Sequence, residues 1–341
     1  MIGPLILAGP APNAGESTDA CFRPPLLLKS GHVQTLFNGI RLRRVVAAKR
    51  ARAMTAASRP HILDCGDGVR LHGYFAGHGD RRSDLAILIH GWRGDADSAY
   101  ILSAAGYLYD CGYDIFRLNL RDHGPSHHLN RGLFHACRIN EVVGAVKRIQ
   151  TLFARNKTLL AGFSLGGNFA LRVAIRAPRA GIALHSVVAV CPVLNPSNTL
   201  DALENGWFVY HRYYLDNWRR SVEKKRRIFP EISGIENLWQ LDSIREMTDS
   251  FARRYTEYPD AEAYLNGYCI TGNVLSGLQV PARIIAARND PIIPAKDIHQ
   301  IRPSPQLHFE IQDSGGHCAF FDDFRLHSWA DRRIAQIFDQ N

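Results

Sequence analysis

The stretch TLLAGFSLGG, residues 158–167, breaks an apolar run with the pattern G-x-S-x-G and continues into a helical pattern. A strand that reverses into a helix within about one residue forces strained backbone at the apex, and the flanking glycines make room for it. Apolar side chains after the motif recur at helical spacing as far as Pro178, where we expect the helix to stop. This order of strand, turn and helix is typical of a nucleophile elbow, which exposes the hydroxyl of Ser164.

Strands and helices alternate on both sides of this stretch. The pair Asp67-Gly68 separates two strand patterns and predicts a short hairpin. Apolar runs of strand length lie at residues 85–90, 114–120, 158–162, 186–193 and 283–287. Fully apolar strands between helices indicate a sheet covered on both faces, whereas residues 307–312 alternate as an edge strand does. We therefore predict an α/β fold with a mostly parallel, doubly wound sheet of about eight strands.

The segment 195–280 is too long for a plain connection between two strands. Of its 86 positions, 13 are aromatic, which predicts an insert with apolar packing of its own. We interpret it as a helical cap after the sixth strand, and whether its rings line an acyl pocket or only hold the cap together stays open. The chain then divides into three parts: an N-terminal extension that packs on the core (residues 1–60), the core itself (61–194 and 281–341) and the cap (195–280).

Composition narrows the class of protein. The chain has 46% hydrophobic and 21% charged residues, as globular proteins do. Because no apolar stretch reaches about 18 residues, we expect no membrane-spanning helix. The N-terminus lacks the basic residues of a signal peptide, and the seven cysteines form no C-x-x-C pair. We expect a cytoplasmic protein with reduced thiols and with neither a metal site nor another cofactor.

The net charge of +9 is concentrated in two places. Residues 1–60 hold nine Lys or Arg against two acidic residues, and a second basic cluster lies at 219–227. We interpret both as solvated surface, with attraction to anionic lipid or to an acidic substrate as the alternative. The alternative would place the basic N-terminal region in peripheral contact with a membrane. Neither a recognisable fold nor interleaved aromatic residues indicate nucleic-acid binding.

A serine hydroxyl becomes a good nucleophile only when a histidine takes its proton and a carboxylate orients that histidine. On a sheet of this kind the acid and then the histidine follow the serine, at the carboxyl ends of later strands. Asp290 in ARNDP follows the seventh strand, and His317 in SGGHC follows the eighth. We predict a triad of Ser164, Asp290 and His317, with Asp201 after the sixth strand as the rival acid.

The oxyanion of such a reaction needs N–H donors. We predict the backbone N–H groups of Leu165, directly after the serine, and of Trp92 in the loop HGWRG. In that loop His90 and Asp95 have the H-x-x-x-x-D spacing of some acyltransferases. Because His90 ends a buried strand, we interpret this spacing as structural.

Four histidines follow the fourth strand, at His123, His127, His128 and His135. A metal site among them is one hypothesis, but no carboxylate or cysteine falls at regular ligand spacing. We favour the interpretation that the turn RDHG, residues 121–124, shapes the rim of the active site. The role of the histidines themselves stays open.

The motifs LIHGWRG, RLNLRDHG, GFSLGG, ARNDPIIP and SGGHCAF resemble, in that order, those of the alpha/beta-hydrolase superfamily over residues 61–341. The segment FRPPLLLKSGHVQTL and the motif GGHCAF are similar to the YheT-like branch of esterases, which is related to abhydrolase-domain lipases and carboxylesterases. The resemblance implies that Ser164 is the nucleophile, Asp290 the acid and His317 the base. The histidine-rich stretch and the basic cap depart from the family pattern.

The sequence thus predicts a cofactor-independent serine hydrolase that cleaves carboxylic esters through an acyl-enzyme intermediate. The expected substrate is a small ester of short to medium chain length, or a lipid-derived acylglycerol. An acyltransferase on the same fold is one alternative, and a binding protein without activity is another. The filled triad positions count against the second alternative.

Overall fold

The computed structural model describes residues 21–79 and 83–340, so the expectations for residues 1–20 lie outside the described part of the chain. Its first helices are α1 (Gly31–Gly39), α2 (Arg41–Arg50) and α3 (Arg52–Ala57). The side chain of Ser30 accepts a hydrogen bond from the N–H of Val33 and so caps α1. The prolines at 24 and 25 keep the chain out of a regular helix before that cap.

Eight strands follow: β1 (Arg59–Asp64), β2 (Arg70–Ala76), β3 (Leu85–Ile89), β4 (Asp114–Asn119), β5 (Thr158–Phe163), β6 (Ser186–Val190), β7 (Ala282–Ala287) and β8 (Leu307–Gln312). They form one sheet in the order β1-β2-β4-β3-β5-β6-β7-β8. Both pairings of β2 are antiparallel and all others are parallel. The predicted eight-stranded, mostly parallel sheet is confirmed, and β8 is an edge strand as its alternation predicted.

Helices cover both faces of the sheet. Those of the core are α4 (Ala99–Asp110), α5 (Ile139–Leu152), α6 (Leu165–Ala180) and α11 (Trp329–Asp339). Between β6 and β7 lie α7 (Pro196–Asn205), α8 (Phe208–Ile228), α9 (Ile244–Tyr255) and α10 (Ala261–Asn266). Alternate residues of the central strands pack against α4 and α11 on one face and against α5 and α6 on the other. The helices after β6 join the apolar core on the face that α5 and α6 cover.

The end of α6 differs from the prediction. The helix continues through Pro178 to Ala180 and ends where Gly181 takes the left-handed conformation, with φ 67°. Pro178 lies in the last turn, where only one intrahelical hydrogen bond is lost to its missing N–H. The N–H of Gly181 bonds the carbonyls of Ala177 and Pro178 and closes the helix.

The N-terminal helices are joined to the core by buried polar groups. The amide of Gln34 donates to the carbonyls of Leu28 and Phe321 and accepts from the N–H of Phe321. Arg43 is 1% exposed, bonds the carbonyl of Leu326 at 2.8 Å and lies over the ring of Phe321. The prediction that the basic residues here are solvated is therefore wrong for Arg43.

The basic cluster at 219–227 also contains one buried member. Lys225 of α8 is fully buried, and its Nζ lies 2.8 Å from Asp122 Oδ1. The same ammonium donates to the carbonyls of His127 and Asn130, while Asp122 Oδ2 accepts from the N–H of Phe134. Lys225 thus links α8 to the histidine-rich loop after β4, a role that its place in a run of surface cations did not indicate.

Replacing Lys225 tests this link. Burial raises the pKa of the Asp122 carboxyl and lowers that of the Lys225 ammonium, and their attraction offsets only part of each shift. Lys225→Met leaves Asp122 charged and buried, so we expect a loss of about 3 kcal/mol in the free energy of unfolding. The double variant Asp122→Asn/Lys225→Met, which removes both charges, loses less. Urea denaturation of the three proteins measures this, and a double variant as unstable as Lys225→Met contradicts it.

No helix in residues 21–79 or 83–340 is long and apolar enough to cross a membrane. All seven cysteines are free thiols, as their scattered positions predicted.

Candidate active site

Ser164 lies at the turn between β5 and α6 with φ 54° and ψ −120°. Its N–H donates to the carbonyl of Val190, and its own carbonyl accepts from Asn168 and Val193. Such backbone costs about 1–3 kcal/mol and persists only where its surroundings hold it. The nearby glycines are required sterically, because a Cβ at Gly166 would lie 2.2 Å from the carbonyl oxygen of Ile89.

Asp290 and His317 form a buried pair beyond β7 and β8. Asp290 Oδ2 lies 2.9 Å from His317 Nδ1, while Oδ1 accepts from the N–H groups of Ile292 and Ile293. The carboxylate is therefore fixed by the backbone on one side and holds the imidazole on the other. Ser164 and His317 line the same cavity, but no hydrogen bond joins the Ser164 hydroxyl to the ring. Such bonds are often long in ligand-free sites.

Two polar side chains that sequence reasoning missed hold the histidine loop. Thr35 of α1 accepts from the backbone N–H of His317 at 2.9 Å and donates to the carbonyl of Gly31 at 2.7 Å. Asn289 accepts from the N–H of Gly316 and donates to the carbonyl of Lys29. The N-terminal extension thus positions His317. No local pattern marks Thr35, because its contact lies 282 residues away in the chain.

The protonation of His317 depends on two opposing influences. Burial lowers the pKa of the imidazole, but the Asp290 carboxylate and the Cys318 side chain together raise it more, so the pKa lies well above the usual range for histidine. The protonated ring is thereby favoured, and the neutral ring that a base requires increases as the pH rises.

This balance predicts the effect of Asp290→Asn. Without the carboxylate, burial and the neighbouring Cys318 remain as the main influences, so the pKa of His317 falls from its raised position. Titration of the His317 ring nitrogens by 15N NMR in both proteins measures the shift. Asp323→Asn, which removes the partner of the half-exposed His327, serves as the control and leaves His317 unchanged. An unshifted His317 in Asp290→Asn would contradict the assignment of the cause.

Two backbone N–H groups near Ser164 have no acceptor in the described residues. In the loop after β3, the N–H groups of Gly91, Arg93 and Gly94 are bonded to Tyr100 Oη, His123 Nε2 and the Gly91 carbonyl. The N–H of Trp92 between them is unpaired, as is that of Leu165 at the start of α6. These are the two groups predicted as oxyanion donors, and both residues line the cavity at Ser164.

Two cavities meet at Ser164. The first lies between the sheet edge and the helices after β6, and its walls are mainly apolar. Its lining includes Leu133, Leu200, Leu203, Trp218, Val222 and Phe251. The second is more polar and is bounded by α1, α2, the loop after β3 and the start of α8. Many aromatic residues after β6 therefore both pack together and line a cavity.

The predicted histidine cluster is dispersed among separate contacts. His123 Nδ1 lies 2.7 Å from the carbonyl of Arg121, His127 Nε2 lies 3.0 Å from Ser221 Oγ, and His128 is exposed. Burial lowers the pKa of His123, which is consistent with its Nε2 accepting a hydrogen bond. His123 lines the first cavity, as the interpretation of the RDHG turn expected.

Two other candidate residues from the sequence, His90 and Asp201, make structural contacts. His90 is buried, with Nδ1 bonded to the Gly91 carbonyl and Nε2 to the N–H of Leu120. Asp201 lies at the surface of α7, half exposed and paired with Arg245. Asp201 is therefore remote from the His317 ring that Asp290 contacts.

One group of metal-type donors surrounds the histidine itself. Donor atoms of Cys191, His317 and Cys318 lie within 4.8 Å of one another, and all three residues are buried. Because His317 Nδ1 is already held by Asp290, an ion bound there would compete with that pair.

A sheet of this topology with a serine elbow and an Asp–His pair on later strands defines an alpha/beta hydrolase. Residues 86–324 match the family model described as alpha/beta hydrolase fold, and the chain belongs to this family.

Among proteins of that family, the chain is 27% identical over 264 residues to the Escherichia coli K12 protein named "Putative esterase YheT", covering 73% of this chain and 74% of that one. It is 24% identical to monoacylglycerol lipase ABHD2 of Danio rerio, over 91% and 78% of the two chains. The structure of esterase Pf2001 from Pyrococcus furiosus superimposes with a TM-score of 0.55 at 16% identity, covering 86% and 92%. The resemblance to the YheT-like branch is thereby confirmed, and the relatives are esterases and lipases by name.

Proposed function

We propose that the protein hydrolyses carboxylic esters through an acyl-enzyme formed on Ser164. The observation that supports this most strongly is the Asp290–His317 pair at 2.9 Å, whose histidine lines the same cavity as the serine of the elbow. A buried carboxylate that orients an imidazole in the same cavity as a half-buried serine is the arrangement that activates a hydroxyl. The names of the relatives agree with this chemistry.

In the proposed reaction His317 takes the proton of the Ser164 hydroxyl as its oxygen attacks the ester carbonyl. Asp290 stabilises the imidazolium that forms and keeps Nδ1 directed toward itself. The N–H groups of Trp92 and Leu165 donate to the oxyanion, and His317 then passes its proton to the departing alcohol. In the second half, His317 deprotonates a water molecule as its oxygen attacks the acyl carbon, and the imidazolium returns the proton to Ser164 Oγ as the acid leaves.

The two cavities suggest how an ester is held. The first has mainly apolar walls and therefore suits an acyl chain, which gains free energy by leaving water. The second is more polar and leads past α1 and α2, so it suits the alcohol. We infer a medium-chain ester or an acylglycerol as the substrate class.

Covalent labelling tests the nucleophile. Because an activated serine attacks a fluorophosphonate, we expect the wild-type protein to gain one adduct and Ser164→Ala to gain none, by intact-mass spectrometry. The control Ser276→Ala, at an exposed serine, keeps the adduct. A folded wild-type protein without an adduct would contradict the proposal and favour a binding protein.

Ser164→Ala should also lose about 10³-fold or more in ester turnover. Analysis of the wild-type products in the presence of added alcohol separates hydrolysis from acyl transfer. Free acid as the product excludes acyl transfer as the main reaction.

Filling the first cavity tests the acyl assignment. Leu200 of α7 lines that cavity and is 5% exposed, so Leu200→Trp shortens the space for the chain. We expect kcat/KM for 4-nitrophenyl octanoate to fall about tenfold more than that for 4-nitrophenyl acetate. Leu152→Trp, on the exposed face of α5, is the matched control. Equal losses for both esters would place the acyl chain elsewhere.

A further inference from the structure

Arg93 is a cation without an ionic partner at the junction of the two cavities. Its side chain lines both cavities, next to Trp92 and Ser164. It forms no ion pair within 4.0 Å with any carboxylate in the described part of the chain, and its buried Nε has no hydrogen-bond partner. The side chain is half-buried, and a guanidinium partly shielded from water in this way attracts an anion.

The neighbouring acids are already engaged elsewhere. Asp122 is the carboxylate whose charge raises the pKa of Arg93. One of its oxygens accepts from Lys225 and the other from the N–H of Phe134. Asp95 and Asp97 also lie on the second cavity. Asp95 Oδ1 accepts from the N–H of Asp97 and from Ser98 Oγ, and Asp97 pairs with Arg117. Burial lowers the pKa of Arg93 to about 10, against the raising effects of Tyr213 and Asp122, so the group stays charged at neutral pH.

The backbone holds Arg93 in a fixed position. Its φ of 65° is in the left-handed region, where a glycine would fit more easily than a residue with a Cβ. The hydrogen bond from its N–H to His123 Nε2 stabilises this conformation. The side chain is thus placed beside the N–H of Trp92, one residue from a proposed oxyanion donor.

From this geometry we infer that Arg93 binds an anionic group, a phosphate or a carboxylate, on the ester substrate. The inference rests on the proposed function and narrows its substrate class. Because the apolar cavity suits the acyl chain, the anion belongs on the alcohol side, a few bonds from the scissile ester. A guanidinium offers paired donors that match the oxygens of either anion.

Matched esters test the inference. We expect wild-type kcat/KM for 1-hexanoylglycerol 3-phosphate to exceed that for 1-hexanoylglycerol by at least about tenfold, since hydrogen bonds to charged groups contribute on that scale. Arg93→Gln removes about tenfold of this preference, and Arg93→Lys restores part of it. Arg44→Gln, at an exposed cation on the second cavity alone, keeps the preference. A second pair of esters, mono-4-nitrophenyl adipate and 4-nitrophenyl hexanoate, differs by a carboxylate on the acyl side. If kcat/KM shows a preference for the adipate but none for the glycerol phosphate ester, the alcohol-side assignment is overturned.

A binding measurement separates this inference from the proposed chemistry. Calorimetry of Ser164→Ala with hexyl phosphate and with hexanol requires no turnover. Tighter binding of the phosphate that Arg93→Gln abolishes supports the anion site even if no ester is cleaved. Equal binding of the two probes, or equal turnover of the neutral and anionic esters by an active wild-type protein, overturns it.

Discussion

The left-handed backbone of Ser164 is the constraint on which the site depends. The turn can be this sharp only because α6 passes close to β3 and β5, with glycines at 162 and 166 where a Cβ would meet backbone. The packing of α6 on the sheet supplies the free energy that keeps the strained residue in place. The same geometry leaves the N–H of Leu165 unpaired, so the turn that exposes the hydroxyl also provides one of the proposed oxyanion donors.

The N-terminal extension contributes to the site more than its composition indicated. Thr35 bonds the backbone of His317, and Asn289 connects the carbonyl of Lys29 to the histidine loop. The extension also forms one wall of the more polar cavity, where any bound alcohol would contact it. Contacts from the core alone would therefore leave the histidine loop with fewer of the bonds that fix it.

How much of the structure could be predicted depends on how far apart in the sequence the interacting residues lie. The strands and the elbow could be predicted because their signals are local: apolar runs, paired glycines, and a serine between them. The burial of Arg43 and Lys225 could not, since each depends on carbonyl groups far away in sequence, at Leu326 and Asn130. The continuation of α6 past Pro178 depends in turn on a C-terminal Gly181, whose capping effect outweighs one missing hydrogen bond. The triad and oxyanion roles remain predictions that the geometry makes specific.

The bond between Thr35 and His317 also bears on when the site is completed during synthesis. The elbow needs only strands and helices from the first two thirds of the chain, and its serine can reach its final conformation early. The imidazole cannot, because its loop follows the last strand and is held by a helix made at the start, 282 residues earlier. A chain still being synthesised would therefore carry the nucleophile without its positioned base, and reactivity would appear only when α1 and the histidine loop come together.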